Sequence, residues 1–217
     1  MTKDLLPLLT EYFPEFSQDQ LKVFQIAARV WTEENEKVNV ISRKDMEYLA
    51  ERHILHSLAL FRLLNFPSGS TILDIGTGGG FPGLPLAIAR PDCSFVLIDS
   101  IAKKIRVVEA VVEATCIQNV QVFTGRAEDY PEKGEYIVSR AVSRMDPFIR
   151  QVKHLIRPEK KRNPATGIYY LKGGNPDEEL GQELKECGRT YELYALREIF
   201  HTDFFDTKFL VHIPILR

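Results

Sequence analysis

Apolar residues recur at helical spacing through the first seventy positions of the chain. Ser17 stands where an N-cap belongs and Gln20, three residues on, completes a capping box. Leu21, Phe24, Ala28 and Trp31 then fall on one helix face, and Trp31, the only tryptophan, reads as a packed core residue. A short link, Val38 to Ser42, precedes a second amphipathic stretch from Arg52 to Leu60, which ends near the turn signal Asn65-Phe66-Pro67-Ser68-Gly69. Beyond that turn the rhythm changes. Short apolar runs predict strands at Thr71 to Ile75, Ser94 to Ile98, Val120 to Phe123, Tyr136 to Ser139 and Gly167 to Leu171. Helical patterns alternate with them at Leu84 to Ala89, Ala102 to Ala114, Pro147 to Ile156 and Glu178 to Cys187. Two last runs, Tyr191 to Ile199 and Lys208 to Ile215, have strand character and the spacing of a hairpin. The expected fold is therefore α/β. A helical N-terminal cap over 1–66 precedes a Rossmann-like domain over 67–217, the two forming one compact unit. Its doubly wound sheet should be mostly parallel, with an antiparallel C-terminal strand.

Composition adds exclusions. At 217 residues, with 44% hydrophobic and 27% charged positions, the chain is neither disordered nor of low complexity. Cys93, Cys116 and Cys187 are far apart and form no C-x-x-C pair, so neither a zinc site nor a disulfide frame is expected. The apolar stretch Ile54 to Leu64 is too short and too interrupted to span a bilayer, and the first residues lead into no signal-like segment. The expectation is a reduced, cytoplasmic protein. A net charge of −2 conceals a polarity: Arg140 to Arg162 carries eight bases against Asp146 and Glu159, whereas Gly174 to Asp206 carries nine acids against three bases. Such a division favours an oriented field.

The sharpest chemistry lies in Leu73-Asp74-Ile75-Gly76-Thr77-Gly78-Gly79-Gly80-Phe81-Pro82-Gly83, where the first strand hands over to a helix. In a doubly wound sheet the ligand crevice opens there, and glycines let a ligand approach the backbone. From Gly78 the run also fits the dinucleotide pattern G-x-G-x-x-G through Gly80 and Gly83, a weak signal alone. The acids favour S-adenosylmethionine instead. Asp74 precedes the loop on its strand, suited to the amino acid group of that ligand. Asp99 ends the second strand, where it can accept from both ribose hydroxyls, and Ala127-Glu128 follows the third, beside the adenine edge.

The run Asp74 to Ala87 resembles the ribosomal small-subunit methyltransferase G family, also called glucose-inhibited division protein B. So do Arg52 to Leu58, Ile98-Asp99-Ser100 with Lys103-Lys104, Val138-Ser139-Arg140-Ala141 and Leu171-Lys172-Gly173, in the family's order and across nearly the whole chain. The resemblance implies a class I S-adenosylmethionine-dependent methyltransferase acting on guanine N7 in the decoding region of 16S ribosomal RNA. Donor contacts are implied at Gly76, Phe81, Ala127, Glu128 and Arg140. The sequence departs from the family at His56, where many members carry aspartate, and at Val40-Ile41-Ser42 in place of Leu-Thr-Ser.

Guanine N7 carries an exposed lone pair, so methylation there needs alignment rather than a general base. The chain offers no convincing His-Asp pair or nucleophilic cysteine near the loop; His53 and His56 read as residues that pack their helix or support a neighbouring functional side chain, and not as a metal site. Arg140, at a strand's carboxyl edge, is the candidate positioning group, holding a carboxylate or phosphate by its fork. Lys103, Lys104, Arg106, Arg126, Arg144 and Lys172 are candidates for an RNA-binding rim. The partner would be 16S RNA, the small subunit or an assembly intermediate, with no membrane and no metal. Three alternatives stay open from the residues alone: a methyltransferase for another RNA, a protein or a small molecule; a dinucleotide-binding redox or sensor protein; and an RNA-binding protein without activity.

Overall fold

The structure, a computed structural model, describes residues 5–140, 144–159, 163–174 and 190–215. The cap begins with α1 (Leu5–Tyr12) and α2 (Gln18–Lys37). Ser17 does cap α2: its Oγ accepts from Gln20 N–H while the Gln20 side chain accepts from Ser17 N–H, so two orphan donors are met reciprocally. A short α3 (Arg43–Met46) follows, capped by Ser42. The stretch expected as one amphipathic α-helix is instead a π-helical segment, Leu49–Leu55, continuing as α4 (His56–Leu63). The His56 amide reaches back to Glu51 O in the wide i to i+5 register, a geometry frequent at functional sites.

Then come β1 (Thr71–Ile75), α5 (Gly83–Ala89), β2 (Ser94–Asp99), α6 (Ala102–Thr115), β3 (Val120–Thr124) and β4 (Tyr136–Arg140). α7 (Met145–Val152) starts earlier than the sequence suggests and tightens into a 3-10 turn at Lys153–Leu155. β5 (Gly167–Gly173), β6 (Glu192–Ala195) and β7 (Lys208–Pro214) complete the sheet. The penultimate run is strand only over those four residues, because Leu196–Glu198 turns into a 3-10 helix that buries Leu196. The helix expected over Glu178 to Cys187 lies outside the described residues.

Seven strands lie in the order β3-β2-β1-β4-β5-β7-β6, with β7 antiparallel to both its neighbours. Side chains alternate strictly between two apolar layers. Ile72, Phe95, Leu97, Val138 and Leu171 face the cap and α5, in one cluster with Leu9, Trp31 and Leu58. Leu73, Val96, Ile137, Ile168 and Val211 face α7. Cap and sheet thus share a core. β1 pairs with β2 on one side and β4 on the other, so the topological switch point opens at the carboxyl ends of β1 and β4.

Candidate functional site

Four glycines of the loop divide into two pairs. At Gly76 and Gly78, with φ of +73° and +59°, no atom lies within 4 Å of where a Cβ would sit. They line an open cradle above β1. At Gly80 a Cβ would lie 2.3 Å from Leu84 Cδ1, and at Gly83 it would lie 2.7 Å from Asp74 Oδ2. Those two close the loop onto its helix and strand, where no side chain would fit. Asp74 packs against that closure. It is wholly buried beneath the loop, where Oδ2 accepts from Thr77 Oγ1 at 2.6 Å and from Gly83 N–H at 2.8 Å. The carboxylate braces the turn from below. Burial pushes its pKa up to about 7, against those two hydrogen bonds and the Arg140 charge.

Asp99 ends β2 and faces the cradle's edge. Its Oδ2 accepts from Gly78 N–H at 3.0 Å and its Oδ1 from Ile101 N–H at 2.9 Å. The acid thereby joins the glycine loop to the start of α6 while each oxygen keeps a second lone pair. Ala127 is buried past β3, whereas Glu128 is exposed, its carboxyl held below the usual range chiefly by the Gln151 side chain. Phe81 is buried, its ring centroid 4.5 Å from that of Trp31. It props the loop from the cap side. Trp31 in turn donates its Nε1–H to Gly79 O at 2.7 Å. Sequence reasoning placed Trp31 in the core but missed that its indole pins the loop; no local pattern signals a contact across 48 residues of chain.

Arg140 ends β4 opposite the loop. Its Nη1 donates to Arg52 O at 3.2 Å and its Nη2 to His53 Nδ1 at 3.0 Å. A guanidinium only donates, so His53 Nδ1 must accept and the ring proton sits on Nε2, which faces Asp45 Oδ2 at 3.1 Å. Burial, reinforced by the Arg140 charge, lowers the His53 pKa to about 4. His53 is therefore a neutral spacer between Asp45 and Arg140. Burial lowers Arg140 itself to about 10, which leaves it charged at neutral pH. The π-helical segment supplies both partners of the arginine fork. His56 packs edge-on against Phe204 and Phe205, and burial holds its pKa well below the ordinary 6.5.

The family model for rRNA small subunit methyltransferase G matches residues 20–198. The chain belongs to this family. A ribosomal RNA small subunit methyltransferase G of Cytophaga hutchinsonii is 47% identical over 209 residues, covering 96% of this chain and 99% of the relative. That of Bacteroides fragilis is 40% identical over 210 residues, covering 97% and 100%. Among solved structures, a SAM dependent methyltransferase from Aquifex aeolicus superposes with a TM-score of 0.57 at 16% identity, covering 80% of this chain and 98% of the other. At that identity the likeness speaks to the fold alone, which is the class I methyltransferase fold.

Both departures from the methyltransferase G pattern now have a physical place. Asn35 Oδ1 accepts from Val40 N–H and Ile41 N–H, at 3.0 and 2.9 Å, and its amide donates to Ile41 O. The link is held by its backbone, so its side chains can vary. His56 fills an aromatic niche and touches no group of the cradle that the structure records. The cations expected as a rim differ in their surroundings. Lys103, Arg106 and Arg126 are exposed, but Lys104 leans to within 3.8 Å of Asp99 Oδ2 and belongs to the cradle's edge. Within the basic block Arg140 is internal, Arg150 pairs with Asp146, and Arg157 pairs with Glu135 at 2.6 Å. Arg144 is exposed at the start of α7 and Lys172 half-buried at the end of β5. Lys160, Lys161 and Arg162 lie outside the described residues. Among the described residues no group of His, Cys, Asp or Glu could hold a metal ion, and no helix is long and apolar enough to cross a membrane.

Proposed function

We propose that this protein transfers a methyl group from S-adenosylmethionine to N7 of a guanine in the decoding region of 16S ribosomal RNA, on the small subunit or an assembly intermediate in the cytoplasm. The observation that carries the reading is the open cradle over Gly76 and Gly78, at the switch point of a chain in this family. Gly76, Gly78, Asp99, Ala127 and Glu128 would hold the donor, while Asp74, Gly80 and Phe81 hold the loop that shapes the site. S-adenosylmethionine, when bound there, supplies a methyl group activated by its sulfonium. The chain's own task is alignment, because N7 presents its lone pair without losing a proton. The Asp45 carboxylate, through the neutral His53 ring, holds Arg140 opposite the loop, where its charge can fix a carboxylate or a phosphate. The deciding experiment is methyl transfer from a tritiated donor to small subunits that lack the modification. Calorimetry with S-adenosylhomocysteine and with NADH separates this reading from a dinucleotide-binding one, since NADH alone should bind if the latter holds.

The histidines make the pH dependence specific. With His53 near 4 and His56 well below 6.5, both stay neutral, so single-turnover transfer with saturating donor and RNA should be flat from about pH 6.5 to 8.5. Asp74, pushed up to about 7, titrates in this window. Its ionised form is the better acceptor for Thr77 and Gly83 and complements a cationic donor. Donor affinity should therefore rise as pH increases through about 7, even though the transfer rate does not. A transfer rate that climbs with pH and flattens in His53→Gln would reveal a catalytic base instead.

Asp99→Ala should weaken S-adenosylhomocysteine binding roughly tenfold to a hundredfold, as expected for losing a charge-assisted bond of about 1.5–3 kcal/mol. The substitution also releases Gly78 N–H and Ile101 N–H, which loosens the cradle's edge. Calorimetry on the folded variant checks this; undiminished affinity would exclude Asp99 from the donor site.

A further inference from the structure

The donor and the RNA have to approach the switch point from different sides. Gly76, Asp99 and Ala127 end or follow β1, β2 and β3, so the donor side is the β1-β2-β3 half of the sheet's carboxyl edge. Lys103, Lys104, Arg106 and Arg126, expected from the sequence to meet RNA, all follow β2 or β3 and stand on that same half. The other half is the edge of β4, β5 and β7, where the sequence singled out Arg140, Lys172 and, beyond β4, Arg144. Gly173 of β5 pairs with Lys208 of β7, which brings the start of β7 to this edge. The π-helical segment packs over it.

What collects there is aromatic and cationic. The Arg52 guanidinium lies 3.7 Å from the ring centroid of Tyr48, and Tyr48 is one of the few exposed large hydrophobic residues, at 42%. The same guanidinium is 5.6 Å from the centroid of Phe204, and the Lys208 ammonium is 4.7 Å from it. Two cations thus share one ring. Among the described residues the Lys208 ammonium has a hydroxyl partner, Thr207 at 3.2 Å, and no carboxylate. Burial and the nearby Arg52 charge lower its pKa, a repulsion that a bound phosphate would relieve. Arg52 does have an acid, Asp45, at 2.9 Å, yet that bond uses one edge of its fork. The corner also touches the site directly, because Arg52 O is the acceptor for Arg140 Nη1.

We propose that the corner made by Tyr48, Arg52, Phe204 and Lys208 is where the single-stranded RNA segment carrying the target guanine docks, a base stacking on Tyr48 and a phosphate bridging Arg52 and Lys208. An exposed aromatic ring beside a cation without a carboxylate partner suits unpaired RNA, since every base has a face to stack and every linkage a charge to meet. Through the Arg52 carbonyl the docked strand bears on Arg140, which couples RNA arrival to the group that aligns it. The proposal rests on the RNA methyltransferase reading above.

The test compares steady-state methylation of unmodified small ribosomal subunits by Tyr48→Ala, Lys208→Glu and the control Lys133→Glu, a charge reversal before β4 at the opposite edge of the sheet. Tyr48→Ala and Lys208→Glu should each raise the KM for subunits about tenfold. Lys208→Glu should also flatten the log-log salt dependence by about one unit, as one phosphate contact is lost. S-adenosylhomocysteine affinity and melting temperature should match the parent protein in both. Tyr48→Phe and Lys208→Arg should restore the KM, which a merely misfolded corner would not allow. Lys133→Glu should behave as the parent does. If the parent protein methylates subunits but the corner variants keep its KM, or if Lys103→Glu with Arg106→Glu carries the loss instead, the docking corner is wrong and the function stands. If the parent protein methylates no small subunit, both fall.

Discussion

Gly78→Val should abolish measurable binding of S-adenosylhomocysteine while the protein remains folded. Gly78 sits at φ +59°, in the left-handed region where a β-branched side chain is most strained. Nothing in the protein lies within 4 Å of the new Cβ, so the valine meets no clash with the core and projects instead into the cradle. The strain also falls on the bond from Gly78 N–H to Asp99, which sets the cradle's far edge. Strain of about 1–3 kcal/mol at one residue leaves a domain of this size folded. Calorimetry and a thermal melt together check the result. Normal binding in the variant would move the donor site away from this loop. Gly80→Ala makes the contrast: there the added carbon meets Leu84, so melting temperature should fall first.

Arg140→Ala should slow single-turnover methyl transfer about a hundredfold, the consequence of losing roughly 3 kcal/mol of charge-assisted positioning. The substitution leaves His53 Nδ1 and Arg52 O without their donor and removes the cation that faces Asp74. A second readout separates alignment from simple loss of packing. The Arg140 charge holds the Asp74 carboxyl down, so without it the pH midpoint for donor affinity should move above about 7. Arg140→Lys should keep that midpoint near its parent value but transfer slowly, because an ammonium cannot span both acceptors as the fork does. A variant that merely melts earlier, with an unmoved midpoint and a normal rate, would take Arg140 out of the aligning role.

Much of this protein was legible before its structure, for a local reason. Strand and helix periods are written in consecutive residues, and β1 appears at Thr71–Ile75 as its apolar run predicts, with β2, β3 and β4 each extended by one residue. The Ser17–Gln20 capping box spans four residues and forms as expected. The glycine loop was legible because positive φ and close backbone approach admit little but glycine, and the family followed from that loop with its flanking motifs.

The tertiary structure decided how those residues divide their work, because burial and long-range partners are not local properties. Asp74 and Asp99 are both acids at strand ends, yet one is sealed under the loop and the other edges the cradle. Both point to the face that carries Leu97, and the difference is position along the strand: Asp74 lies within β1 beneath Thr77 and Gly83, whereas Asp99 is the last residue of β2. His53 could be read as packing its helix or as supporting another side chain; a contact across 87 residues makes it the neutral acceptor that holds Arg140. The basic block between Arg140 and Arg162 could be read as a phosphate-binding rim or as solvated helix faces; among the described residues, folding put Arg140 inside and paired Arg150 and Arg157 with acids. Charge along a chain records composition, whereas a field in space depends on which charges the fold leaves without a neighbour. Tyr48 and Lys208, 160 positions apart in number, meet around Arg52 and Phe204 only because β7 runs antiparallel to β5 and returns the chain to the carboxyl edge.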